Sequence, residues 1–265
     1  MNLLDMGALA QSEALANRSL SAVELMEATL DRIEAVNGRV NAIVSMVARD
    51  VLLDQARAAD AGRRRGWLHG IPIAIKDLSD AKGLPTSKGS PLFAGSIAEN
   101  DSLFVARIKA AGAIVIGKTN TPEFGLGSHT FNPVHGATRN PYDLSRSAGG
   151  SSGGAAAALA SGMLSIADGS DMMGSLRNPA GWNNVYGMRP SWGTVPAEPE
   201  GDMYLHQLAT SGPMARNPRD LAALLDTMTG VDPCQPLGRT PSASLPALNS
   251  MPHRLKLGWL GDWNG

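Results

Sequence analysis

The sequence predicts an α/β fold from three observations. Segments with helical spacing alternate with short apolar runs, the order expected when helices pack on a sheet. Ile71, Ile73 and Ile75 alternate within a β-branched stretch, the mark of a strand. A chain of 265 residues with 43% hydrophobic and 18% charged side chains can bury a sizeable core, as one large domain or two small ones.

Each element has a local signal. From Ser21 to Asn37, Val23, Met26, Leu30 and Ile33 fall on one helical stripe, and Ser21 with Glu24 forms a capping-box pattern, so this segment is a helix with one buried face. A second helical stretch runs from about Asp50 to Gly62 and leads into GWLHGIPIAIKD, whose strand ends near Lys76. A helix from Asp101 to Ala111 precedes the strand Ala113–Gly117. The alanines between Gly153 and Gly162 predict a helix that packs closely on a neighbour. Met163 to Ala167 is a further short strand, followed at once by DGSDMMGSLRNPA. A helix over Arg219–Met228 precedes a proline- and serine-rich linker or long surface loop from Pro233 to Pro252. LKLGWLGDWNG then reads as a strand-like run closing on Asn264-Gly265, a turn signal with nothing after it, as in a chain cut in mid-fold.

Composition excludes several classes of function. A net charge of -1 gives no electrostatic footprint for nucleic acid, and Arg63-Arg64-Arg65 reads as a solvated helix end. The start, MNLLDMGALAQSEALANRS, is too polar for a signal peptide, and no apolar run approaches the ~20 residues of a membrane span, so a cytoplasmic protein is expected. The single cysteine, Cys234, excludes an internal disulfide and a cysteine-based zinc cage and fits a reducing compartment. Without a secretory route the sequon at Asn17 is accidental.

Three signatures compete for the chemistry. GAIVIGKT, Gly112 to Thr119, has the letters of a phosphate loop, but its four intervening residues are themselves the strand and Pro122 stands where a helix should run. GGSSG, Gly149 to Gly153, has the spacing of a nucleophile elbow on Ser151 or, shifted by one, on Ser152. The polar, proline-containing TRNPYDLSRSA before it argues against the strand an elbow needs, and downstream only His206 and His253 are available as a base. The third reading uses a lysine, which serves as a base if burial makes it neutral near pH 7. Lys76, closing an apolar strand, is the candidate; a surface lysine paired with Asp77 is the bland alternative. GSDMMGSLRNPA, Gly169 to Ala180, adds a turn around Ser175 whose glycines at 169 and 174 allow consecutive amides to face one point, with Asp171 and Arg177 placed to pair across it.

These residues bring out a resemblance to the amidase signature family of serine hydrolases. It is carried by four blocks in order: HGIPIAIKDLSDAKGLPTSKGS, KTNTPEFGLG, TRNPYDLSRSAGGSSGGAAAALASG and GSDMMGSLRNPAGWNNVYGMRPSWG. The resemblance implies a mixed twisted sheet sandwiched between helices, with residues 1–65 as an N-terminal helical layer and 66–265 as the catalytic core, truncated at its C-terminus because family members are far longer. It implies a Ser-cisSer-Lys triad in which Ser175 attacks, Ser151 relays the proton and Lys76 is the base, with Ser175 lying 24 residues after Ser151 as in the family motif. Ser152 becomes a hydrogen-bonding neighbour, and the amides of Met172, Met173, Gly174 and Ser175 become the oxyanion hole. The family's usual Gly-Gly pair before the nucleophile is here Met173-Gly174, which either shapes an acyl pocket or points a methionine into the core. The implied activity is hydrolysis of a linear amide, with aryl or alkyl amides, carbamates and esters as substrates, no metal and no organic cofactor. Alternatives are a subunit of an amidotransferase that releases ammonia from glutamine and a non-catalytic scaffold that keeps the fold. Homo-oligomerisation stays open, the remainder of the fold is expected to be required, and Trp182 and Trp192 are expected to be packing residues.

Overall fold

The computed structural model describes residues 3–240, 242–250, 254, 256, 258, 259 and 261. Helices α1 (Ala8–Ala16) and α2 (Ala22–Val40) lead to the two-residue strand β1 (Ile43–Val44) and to α3 (Arg49–Ala61). The capping box starts α2 as expected: the Glu24 amide donates to the Ser21 hydroxyl at 3.1 Å, and the Ser21 amide donates to the Glu24 carboxylate at 2.8 Å. This helix runs past Asn37 because that side chain, while helical itself, bonds forward to Ala42 and Ile43, and the left-handed stop comes at Asn41.

Strands β2 (Pro72–Lys76) and β3 (Ile114–Thr119) are parallel, connected through α4 (Leu103–Ala110), and β1 pairs antiparallel with β3. Four short strands follow, β4 (Phe131–Asn132), β5 (Gly136–Ala137), β6 (Arg139–Asn140) and β7 (Asp143–Ser147), which form two largely exposed hairpins. The chain continues through α5 (Gly153–Ala160), β8 (Ile166–Asp171), α6 (Arg177–Trp182), β9 (Tyr186–Gly187), β10 (Thr210–Ala215), α7 (Pro218–Met228) and α8 (Ser244–Ala247). β10 pairs antiparallel with both β8 and β9, and β8 lies against β2. The architecture is therefore mixed α/β.

Alternation along the strands builds two cores, one on each face, because successive strand side chains point to opposite sides. Ala74, Ile114, Ile116, Ala167 and Met214 pack with α2, α3 and α5. Ile73, Ile75, Val115, Ile166 and Ala215 pack with α4 and α7. Both faces being covered explains why IPIAI is apolar at every position.

Three sequence expectations change. The strand read at Met163–Ala167 begins only at Ile166 and extends through Gly169, Ser170 and Asp171, which pair with β10. Met163 instead belongs to the turn closing α5, where its amide donates to the Ala158 carbonyl. Gly169 is thus a strand residue rather than part of a tight turn: a Cβ there would lie 2.6 Å from Leu176 Cδ2 and 2.7 Å from Ser152 Oγ. A strand does precede GGSSGG, since β7 leads into α5, but it is polar because it belongs to an exposed hairpin. The segment after Pro233 is a largely exposed loop, as expected, tied to the fold where Asp226 accepts the Ser244 and Leu245 amides at 2.6 and 2.9 Å and where Gln235 is buried. His253, Asn264-Gly265 and most of the run before that turn lie outside the described residues.

Gly154 shows why this segment is glycine-rich. A Cβ there would sit 2.3 Å from the Asn120 amide nitrogen and 2.7 Å from the Ala42 carbonyl oxygen, both backbone atoms that cannot step aside. Gly154→Ala is expected to destabilise the fold by about 1–3 kcal/mol through overpacking, read as a fall in the urea midpoint.

Candidate active site

Lys76 is the last residue of β2, and its side chain is fully buried. A long cationic side chain in such a place must find hydrogen-bond acceptors. It finds three hydroxyls: Nζ donates to Ser151 Oγ at 2.8 Å, Ser152 Oγ at 2.9 Å and Ser170 Oγ at 3.0 Å. Burial pushes the Lys76 amine down to about 7, against the opposing pull of Asp168 and Asp171. The surface ion pair with Asp77 is ruled out. Asp77 instead accepts from Ser87 Oγ at 2.5 Å and lies 4.0 Å from Lys118 Nζ and 3.7 Å from His135 Nε2.

The segment 149–152 brings the serines to this lysine. The Gly150–Ser151 peptide bond is cis, and the Thr130 hydroxyl donates to the Gly149 carbonyl at 2.8 Å. Ser151 and Ser152 are both buried. Ser152 also ties three elements together: its amide donates to the Ser175 carbonyl at 3.1 Å, and its hydroxyl bonds the Ser170 amide and carbonyl, each at 3.3 Å.

Ser175 is half-buried in the turn between β8 and α6. Among the described residues its hydroxyl makes no hydrogen bond; Ser175 is linked to Lys76 through Ser152, whose amide donates to the Ser175 carbonyl and whose hydroxyl accepts from Lys76 Nζ. Asp171 organises this turn. Its buried carboxylate accepts from the Gly174 amide at 2.7 Å, the Leu176 amide at 3.1 Å, Arg177 Nε at 3.0 Å and an Arg177 terminal nitrogen at 3.1 Å. Burial would raise this carboxyl, but those donors outweigh it and hold Asp171 at about 2.

One expectation for the turn needs correction. The Gly174 amide is engaged by Asp171, whereas among the described residues the amides of Met172, Met173 and Ser175 have no acceptor. Met173 is 85% exposed, so it does not point into the core. Trp182 is half-exposed and stacks at a tilt on His129, while Trp192 lines a cavity of 140 Å³ together with Ser170.

The competing motifs are disposed of by geometry. Gly117, Lys118 and Thr119 lie within β3, so GAIVIGKT forms no loop. Lys118 is buried and donates to the Ser79 carbonyl and the Thr86 hydroxyl. Ser151 and Ser152 are buried rather than presented, and no histidine ring bonds either of them among the described residues; His206 is exposed. Two polar residues at the site, Ser170 and Asp168, were not singled out from the sequence. Their signal was the alternation of polar residues after Ile166, which places both on one side of β8.

A family model described as Amidase matches residues 24–259. The chain belongs to the amidase signature family. The indoleacetamide hydrolase of Bradyrhizobium diazoefficiens is 44% identical over 84% of this chain and 44% of its own length. A subunit of the glutamyl-tRNA(Gln) amidotransferase of Anaeromyxobacter dehalogenans is 41% identical over 83% of this chain and 45% of its own. Among solved structures, 6-aminohexanoate cyclic dimer hydrolase complexed with substrate superposes with a TM-score of 0.86 at 34% identity, covering 95% of this chain and 52% of that one. This amidase signature chain thus spans about half the length of the relatives it matches. No helix among its described residues is long and apolar enough to cross a membrane.

Proposed function

We propose that the chain carries the acylation centre of an amide hydrolase, with Ser175 as nucleophile, Ser151 as proton relay and Lys76 as base. The observation that carries this reading is a fully buried lysine, pushed down to about 7, within hydrogen-bond distance of Ser151. Lys76, once neutral, accepts the Ser151 proton as Ser151 takes the proton of Ser175, and the Ser175 oxygen attacks the carbonyl carbon. The developing oxyanion faces the unengaged amides of Met172, Met173 and Ser175. Ser151 then protonates the leaving amine, and water releases the acyl group by the reverse relay. Asp171 and Arg177 hold the turn and Ser152 holds Lys76 and Ser175 in register. Met173, exposed two residues before Ser175, offers an apolar side chain beside the nucleophile, which suits aryl or alkyl amides, with carbamates and esters as further substrates.

Amide hydrolysis is tested with an anilide whose amine absorbs on release: release of that amine as the acyl group transfers to one serine, followed by hydrolysis of the acyl-serine, supports the reading, and turnover with no acylated serine contradicts it. Acylation should rise with pH through a midpoint of about 7 as Lys76 loses its proton, measured by stopped reaction and intact mass. A second reading, a polypeptide that releases ammonia from glutamine for a partner, is favoured by the 41% identity to a component of a glutamyl-tRNA(Gln) amidotransferase. Ammonia release from glutamine that appears only with a partner protein would select it.

A further inference from the structure

Asp168 is a buried carboxylate that the proposed mechanism leaves unused. It is 1% exposed and sits on β8, two residues before Ser170, whose hydroxyl accepts from Lys76 Nζ at 3.0 Å. One oxygen accepts the backbone amide of Lys76 at 2.9 Å, and the other is buried with no hydrogen-bond partner among the described residues. A buried acid that is half unsatisfied is costly unless a nearby cation compensates it.

The charges facing it define that compensation. β2 brings Lys76 and β3 brings Lys118. On its own strand Asp171 is already matched by Arg177 and, at 3.7 Å, by Arg189. Lys118 has a closer acid in Asp77, at 4.0 Å. Both lysines act on Asp168, Lys118 more than Lys76, but Lys76 is the one joined to it by a hydrogen bond, through its amide. We propose that Asp168 is a positioning residue for Lys76: its carboxylate pins the end of β2 through the Lys76 amide and serves as the counter-ion for the ammonium formed when Lys76 takes the proton. This inference rests on the proposed role of Lys76.

The proton balance is simple. One proton leaves Ser175, one passes from Ser151 to Lys76, and Asp168 stays ionised, so it offsets the new charge without taking part in bond making. Burial raises the Asp168 carboxyl to about 6, close to where Lys76 titrates, so the two groups share a titration range.

The test uses the whole chain. Lysines are labelled with ¹³C at Cε and aspartates at Cγ, and the signals are assigned by their loss in Lys76→Met and Asp168→Asn. In the unmodified chain the two signals should titrate together. In Asp168→Asn, which keeps an acceptor for the Lys76 amide, the Lys76 midpoint should fall by about one pH unit, and the pH profile of serine acylation should move with it. A Lys76 midpoint unmoved in Asp168→Asn, or an Asp168 signal blind to the Lys76 titration, overturns the proposal. The coupled titration in the unmodified chain decides even if Asp168→Asn does not fold. Acylation of a serine other than Ser175 would instead overturn the catalytic reading, while the titration still answers for Asp168.

Discussion

Lys76→Met is expected to abolish serine acylation and, at the same time, to stabilise the fold. The two effects share one cause. Lys76 sits near neutrality in a fully buried site because burial has pulled its amine from the ordinary 10.5 down to about 7. Such a lysine is poised to accept a proton, and removing a positioned base costs about 10²–10⁴-fold in rate. The same shift destabilises the folded chain. Below pH 7 both folded and unfolded chains hold the proton, and the full burial penalty is felt; as pH rises from 7 to 10.5 the folded chain is already neutral and the penalty fades. Methionine has similar bulk and no charge, but it also leaves Asp168 without the Lys76 ammonium, which takes back part of the relief, so the variant should gain only about 1–2 kcal/mol at neutral pH, with the difference shrinking toward pH 10. Urea unfolding at pH 7 and pH 10 measures this. A variant less stable than the parent at pH 7 would mean that Asp168 and the three serine hydroxyls together compensate the ammonium better than burial opposes it.

Asp171→Ala is expected to act in the opposite direction on stability and in the same direction on acylation. One carboxylate accepts four hydrogen bonds, two from amides of the turn that carries Ser175. Removing a buried charge partner of this kind costs about 3–5 kcal/mol. Most of that belongs to the amides, because Arg177 is 56% exposed and its ion pair is screened by water. Arg177→Ala should therefore cost well under half as much as Asp171→Ala. The sign of the pH dependence follows from a carboxyl held at about 2 against an ordinary 3.8: its contribution is complete above pH 4 and is lost as pH falls through 2. Equal destabilisation by Asp171→Ala and Arg177→Ala would show that the ion pair, and not the turn, is what Asp171 holds.

Apolar order made much of the fold legible. The stripe on α2, the capping box at Ser21 and the alternation in IPIAI are short-range patterns, and the structure has each of them. Lys76 was visible for the same reason, as a charged residue ending an apolar strand. What the sequence hid were polar residues whose burial is decided by neighbours far along the chain. β8 continues through Asp168, Ser170 and Asp171 because β10, some 40 residues later, supplies the pairing. Gly174 looked like one of four equivalent amide donors until Asp171 was found to occupy it. The exposed hairpin β6-β7 has polar residues on both faces and carries no alternation to read.

The central claim is that Ser175, and neither serine of GGSSGG, forms the acyl bond. The most direct measurement is intact mass and peptide mapping of the chain after exposure to a fluorophosphonate, which attaches to acylation-competent serines. The account predicts one adduct, on Ser175, that disappears in Lys76→Met; an adduct on Ser151 or Ser152, or one on Ser175 that persists without Lys76, would contradict it.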